Sequence, residues 1–252
     1  MVTVRSAVEA GDRLAELVDR LAGQADFVEV VASLAAGHAA TLDGVWGSSC
    51  ALAAAALAAR APATLLVVAP HADQADEFID DLAVFSPVAP RYFPALSAPE
   101  CRSTDPAEPL TCDEAFGDRL SVIKSLRGPD PPRMVVAPVQ ALVQSVPAPD
   151  AVDRHTRWLR VGAEMSLQAT TRWLAENGFH ATPAVELPGE FSLRGGILDV
   201  FARDAEHPVR VEWFGDEIVS IRRFEVASQR SLGLLDAIEL TALGSASAQR
   251  AC

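Results

Sequence analysis

The chain has 252 residues, half of them hydrophobic, and carries 34 acidic against 21 basic side chains, for a formal charge of −13. That length suits one large domain or two modest ones, and the acidity excludes sequence-independent DNA binding as the main task, because such binding rests on Lys and Arg neutralising phosphates. No apolar run free of charge and Pro reaches a membrane-spanning length, the N-terminus lacks a signal-peptide pattern, and Cys50, Cys101, Cys112 and Cys252 show neither CxxC spacing nor a nearby His. The expectation is a cytoplasmic protein with four free thiols, no metal and no membrane contact.

From Ala7 to Leu21 apolar residues recur at helical spacing, with Asp12, Arg13, Glu16, Asp19 and Arg20 opposite, which predicts a leading helix. A second helix, Phe27 to Ala36, stops at Gly37. Ala39 to Trp46 reads as a buried strand. The stretch GVWGSSCALAAAALAAR then completes a layout of strand, Gly-rich turn and helix, the arrangement that cradles phosphate in a P-loop. Ala63 to Pro70 is a continuous apolar run ended by Pro, read as a central parallel strand. Asp73 to Phe85 is an acidic amphipathic helix, and Arg91 to Pro94 a short strand. Pro94 to Cys112 holds four Pro and no apolar period, so it is a loop.

Asp113 to Leu126 is a helix with Gly128-Pro129 beyond it, Arg133 to Pro138 a buried strand, and Val139 to Val146 a short helix. Strands alternating with helices predict a parallel sheet covered on both faces. Pro147-Ala148-Pro149 marks the boundary, giving a first domain over residues 1–148. Thr156 to Val161 then looks like a strand, and Ser166 caps a helix through Glu176 that Asn177-Gly178 closes.

Turn signals divide Pro188 to Ser231 into short alternating runs. Gly195-Gly196 interrupts one run, and Gly215-Asp216 joins two strand-like halves as a tight hairpin. In Val209-Arg-Val-Glu-Trp-Phe214, Val209, Val211 and Trp213 share one face and Arg210, Glu212 and Phe214 the other. An aromatic beside an Arg on a solvated sheet face has the composition of an interface anchor. Under a covering helix or loop, Phe214 is core instead. Six Arg stand against eight acids between Glu190 and Arg230, so any basic surface is local. The second domain is a small α+β unit over residues 149–230. Leu234 to Leu240 reads as a strand going back to the first domain, which makes residues 231–252 the start of that return.

GEFSLRGGILDVF, PVRVEWFGDEIVSIRRFEV and SQRS closely resemble the UvrA-interaction domain shared by UvrB and the transcription-repair coupling factor (Mfd). The resemblance is specific from Phe179 to Ser231 and looser, but collinear, from about Leu34 to Val146. It implies an α/β fold class: a degenerate P-loop, helicase-like parallel sheet with a smaller α+β UvrA-interaction domain inserted after it. It also implies UvrA as partner, met through Arg194 in the RGG turn and through Arg210 and Phe214. Alternation already places the last two on one face. DNA and RNA polymerase are expected to be reached only indirectly or through regions this chain lacks.

Against the GxxGxGKT layout of UvrB, Gly44 and Gly47 match, while Ser49, Cys50 and Ala51 replace the third Gly, the Lys and the Thr. No cation then meets the β- and γ-phosphates and no hydroxyl meets Mg²⁺. The expected function is therefore a non-catalytic recruitment module of transcription-coupled nucleotide excision repair, with no cofactor. The alternative is an ATP-dependent damaged-DNA-binding protein of the UvrB type, which needs the missing Lys and Thr. The region where UvrB carries an aromatic-rich hairpin has no Tyr here, and so nothing suited to stacking on bases. A small-molecule enzyme is a third reading. No HExxH or Ser/His/Asp order supports it, and His38, His71, His155, His180 and His207 are scattered. A second Gly-rich nucleotide loop, a DEAD-type box and a polymerase-binding module are missing, so the chain reads as the UvrB-homology module alone or as a truncated product.

Overall fold

The computed structural model describes residue 14 and residues 16–96 and 111–244. They fall into two compact units, Met1–Ala95 with Val122–Val143 and Leu96–Ser121 with Gln144–Cys252.

The first unit is built on a three-stranded parallel sheet of β1 (Leu65–Ala69), β2 (Arg91–Tyr92) and β3 (Met134–Pro138), in the order β1-β3-β2. The central strand is β3, and it is buried along its whole length. Its alternate residues feed two cores. Met134 and Val136 pack with Ala51, Ala54, Ala55 and Ala58 of α3 (Ser48–Ala58) and with Ala75 and Leu82 of α4 (Ala72–Phe85). Val135 and Ala137 pack with Phe93, Val122 and Ala141 on the other side. The sheet is thus covered on both faces, as alternating strands and helices require. The run at Ala63 to Pro70 is not the central strand expected of it. It forms β1 at the edge, where Leu66 and Val68 remain about half exposed. A continuous apolar run signals strand, but pairing on both edges is decided by residues far away in sequence.

Two helices precede α3, α1 (residues 16–22) and α2 (Ala25–Ala35). The earlier part of the predicted leading helix lies outside the described residues. The strand expected at Ala39 to Trp46 is absent: residues 38–47 form no strand and are largely exposed, and Asp43-Gly44 makes a turn. Gly44 has a φ of +74° there, a conformation that interrupts an extended run.

In the second unit a six-stranded sheet runs β10-β9-β8-β7-β6-β5, comprising β5 (His180–Ala181), β6 (Glu190–Arg194), β7 (Ile197–Val200), β8 (Val209–Phe214), β9 (Glu217–Phe224) and β10 (Ser231–Leu234). Every neighbouring pair is antiparallel except β5 with β6. One face buries Leu198, Val200, Val211, Trp213, Ile218 and Ile221 against Trp173 and Leu174 of α8 (Leu167–Glu176), which follows α5 (Thr111–Arg127), α6 (Val139–Leu142) and α7 (Pro149–Arg154) in the chain. Ser166 caps α8, its Oγ accepting from the Ala169 N–H at 3.3 Å. The Trp213 indole donates to the Met165 carbonyl at 2.8 Å, so its one polar atom is satisfied inside the core.

The expected return to the first domain from residue 231 does not take place in the described residues. Strand β10 pairs with β9, and β11 (Ala237–Thr241) pairs antiparallel with β4 (Thr156–Arg160). Burial explains the difference: Leu240 enters the same core as Leu159, and Leu243 packs with Phe116, Leu120 and Val152. The boundary falls before Gln144 rather than at Pro149, and Leu96–Ser121 joins the second unit, not residues 1–148.

The two glycines of the β6–β7 turn serve separate needs. Gly195 takes a φ of +60°, and a Cβ on Gly196 would lie 2.7 Å from the Trp213 carbonyl oxygen, a backbone atom that cannot move aside. Replacing Gly196 by Ala is expected to destabilise the second unit by about 1–3 kcal/mol, read as a lower midpoint in denaturant melting.

Candidate functional site

The face of the six-stranded sheet opposite α8 carries the residues that alternation assigned to it. In the ladder Arg194 stands across from Ile197, and Ile197 across from Glu212. Directly paired residues point to the same side of a sheet. Arg210 and Phe214 lie two positions to either side of Glu212, so Arg194, Arg210 and Phe214 share one face. Phe214 is 81% exposed. Among the described residues no helix or loop covers it, so the aromatic is open rather than core.

Arg194 ends β6 in solvent, and its guanidinium donates to the Pro183 carbonyl. The Ser192 hydroxyl donates to the same carbonyl at 3.0 Å, which tethers the segment before β6 to the sheet. Arg194 is thereby steered, and it meets no acid among the described residues.

Arg210 is held differently. Its Nε donates to Asp199 Oδ1 at 2.6 Å and its Nη2 to Asp199 Oδ2 at 2.7 Å, a forked pair whose side chains are 27% and 15% exposed. Nη2 also reaches Gln229 Oε1 at 3.3 Å, and the guanidinium lies over the Phe224 ring, 4.9 Å from its centre. The hydrogen bonds to the Asp199 carboxylate raise the Arg210 pKa above its ordinary value, against the opposing effect of burial. Directly across the ladder stands a second cation, Arg222. Like charges in that position repel, and each is answered by its own acid: Asp199 for Arg210 and Glu212 for Arg222. The Ser220 hydroxyl donates to the other Glu212 oxygen at 2.8 Å.

Gln229 is the one described non-glycine residue with a positive φ, +56°. That conformation costs roughly 1–2 kcal/mol. Its amide nitrogen donates to the Val226 carbonyl at 2.9 Å while its oxygen meets Arg210, so the strained loop closes over the Arg. Asp199, Phe224 and Gln229 escaped the sequence reading. The signal for Asp199 was the β7–β8 register, which the eight residues between those strands leave uncounted.

In the first unit, Gly47 (φ +55°) caps α3, and no strand leads into the Gly-rich stretch. The Ser49 hydroxyl is used locally, accepting from the Trp46 N–H at 3.1 Å and donating to the Trp46 carbonyl at 2.6 Å. The Cys50 thiol lies 3.7 Å from the Val45 carbonyl, and Ala51 is fully buried among the alanines against the sheet. Among the described residues no group of three His, Cys, Asp or Glu side chains is placed to hold a metal, and no helix is long and apolar enough to cross a membrane.

With this geometry in place, comparison with known proteins is specific. The family described as "UvrB interaction domain" matches residues 158–244, all within the second unit. The Transcription-repair-coupling factor of Mycobacterium tuberculosis (strain CDC 1551 / Oshkosh) is 36% identical over 198 residues, 76% of this chain and 15% of that protein. That of Myxococcus xanthus is 35% identical over 228 residues, 88% and 19% of the two chains, and that of Bacillus subtilis (strain 168) 31% identical over 216 residues, 85% and 18%. The chain spans less than a fifth of the length of these curated relatives.

The two kinds of side chain on the open face separate in a melting experiment. Phe214→Ala is expected to leave stability within about 0.5 kcal/mol, since the ring is already in water. Arg210→Ala is expected to lower it by about 1–2 kcal/mol, because it leaves the mostly buried Asp199 carboxylate without its partner.

Proposed function

We infer, for a chain whose residues 158–244 belong to the UvrB interaction domain family and which is homologous to part of the transcription-repair-coupling factors, that it recruits nucleotide excision repair by docking on UvrA. The observation that carries this reading is Phe214: a large aromatic, 81% exposed, at the end of a strand whose opposite face is packed core. An open aromatic with Arg on the same face is the composition of a binding hot spot. Phe214 fills an apolar pocket on the partner. Arg194 supplies the free cation for an acidic group beside it, and Arg210 forms the third corner.

The first unit serves in this reading as a scaffold, a degenerate P-loop domain that does not turn over nucleotide. The residues support it. Cys50 and Ala51 stand where Lys and Thr would act, Ser49 is tied to Trp46, and Ala51 faces the sheet rather than the mouth of the turn. In this reading the chain itself meets DNA and RNA polymerase only indirectly.

Titration against purified UvrA tests the assignment. The wild-type chain is expected to bind saturably, and Phe214→Ala or Arg194→Ala to lose at least tenfold in affinity with melting unchanged. Wild-type affinity in both variants overturns the surface. In the same preparation a labelled ATP analogue at physiological concentration is expected to pass through unretained. Retention would favour the ATP-dependent UvrB-type reading instead.

A further inference from the structure

Arg210 has five N–H donors. Nε and Nη2 direct three of them to Asp199 and Gln229, and one face of the guanidinium rests on Phe224. The two N–H groups of Nη1 meet no acceptor among the described residues. Arg222 across the ladder is closed by Glu212, so the cluster Asp199, Arg210, Glu212 and Arg222 carries no net charge. An incoming carboxylate at Nη1 would approach a site whose positive charge is already balanced, with the Asp199 carboxylate on the same guanidinium. A neutral oxygen meets no such repulsion.

We propose that Asp199 is a positioning residue for the docking surface, which converts Arg210 from a free cation into a fixed, charge-balanced donor whose Nη1 edge takes an uncharged oxygen of the partner, such as a backbone carbonyl. The proposal rests on the docking reading above and deepens it. Arg194, which meets no acid, is then the corner of the surface that answers to charge, and Arg210 the corner that answers to geometry. Arg210 in this role is sensitive to orientation within a few tenths of an ångström, because a single hydrogen-bonded edge has no second contact to correct its aim.

The test is a titration of UvrA with this chain at low and high salt, with Arg194→Ala, Arg210→Ala, Arg210→Lys, Asp199→Asn, the double variant Asp199→Asn/Arg210→Ala, and Phe214→Ala. Arg210→Ala is expected to weaken binding about tenfold, as loss of one directed hydrogen bond does, and the charge-neutral double variant to leave the salt dependence unchanged. Arg194→Ala is expected to flatten the salt dependence. Arg210→Lys should lose as much as Arg210→Ala, since it keeps the charge without the fork. Asp199→Asn should weaken binding, and the double variant should be no weaker than Arg210→Ala alone, which a merely structural role for Asp199 would not produce. The inference is overturned if Asp199→Asn binds as tightly as wild type or tighter, or if Arg210→Lys retains full affinity, and the lysine variant decides the matter should Asp199→Asn melt below the assay temperature. Wild-type binding by both Phe214→Ala and Arg194→Ala marks the separate failure of the docking reading, and of this inference with it.

Discussion

Asp199 and Arg210 stand directly opposite each other on β7 and β8, and the same register sets Leu198 against Val211 on the other face. A slip of one residue would turn the charged side chain of the slipped strand into the core and its apolar neighbour into water. Leu198 and Val211 are fully buried, so the core alone resists the slip, and the forked ion pair resists it from the outside. From this register follows the rest of the open face. It carries the row from Arg194 through Ile197 to Glu212, and it lets β8 deliver Arg210 and Phe214 to either side of that row. One irregularity occurs nearby, between Glu212 and Trp213, where the β8–β9 register shifts. The additional residue belongs to β9, so alternation along β8 continues and Trp213 stays in the core while Phe214 stays out.

The first unit solves a different problem with poorer material. Its composition leans on alanine, which favours helix but removes little apolar surface per residue. The compensation is proximity. Ala51, Ala54, Ala55 and Ala58 of α3 let that helix lie close against α4 and β1, and the larger side chains, Leu82, Met134 and Val136, fill what remains. The opposite face of β3 uses Phe93 and Val122 for the same purpose.

What the sequence made legible divides along the range of the interactions involved. The face shared by Arg210 and Phe214 needed only the period of two, and the Gly215 turn with its φ of +64° needed only the chemistry of glycine. The position of Arg194 was available through resemblance, and its physical reason appears once the ladder joins β6 to β8 through β7. Asp199 was invisible because the connection from Phe201 to Pro208 is too long to count a register across. The same limit misplaced Ala63 to Pro70 in the sheet order and sent the strand expected at Leu234 to Leu240 to the wrong partner. In both cases the local pattern said strand, correctly, and the neighbour was chosen by distant burial: β3 in the middle of its sheet, and Leu240 beside Leu159. The supposed strand before Ser48 was a local error, for Asp43-Gly44 already signals a turn.

The hairpin that carries Phe214 has a consequence for the thermodynamics of association. Ring and turn adjoin: Phe214 pairs with Glu217 across a connection of only Gly215 and Asp216, and the preceding Trp213 is pinned in the core by its bond to the Met165 carbonyl. The backbone beneath the ring is therefore rigid before any partner arrives. Only the two side-chain torsions of a phenylalanine remain to be frozen, against the longer flexible stems of Lys or Met, for which immobilisation costs about 0.5–1.5 kcal/mol per side chain. Most of the local conformational entropy that a contact at this position demands has already been surrendered during folding, so an apolar contact at Phe214 loses little of its gain to side-chain ordering.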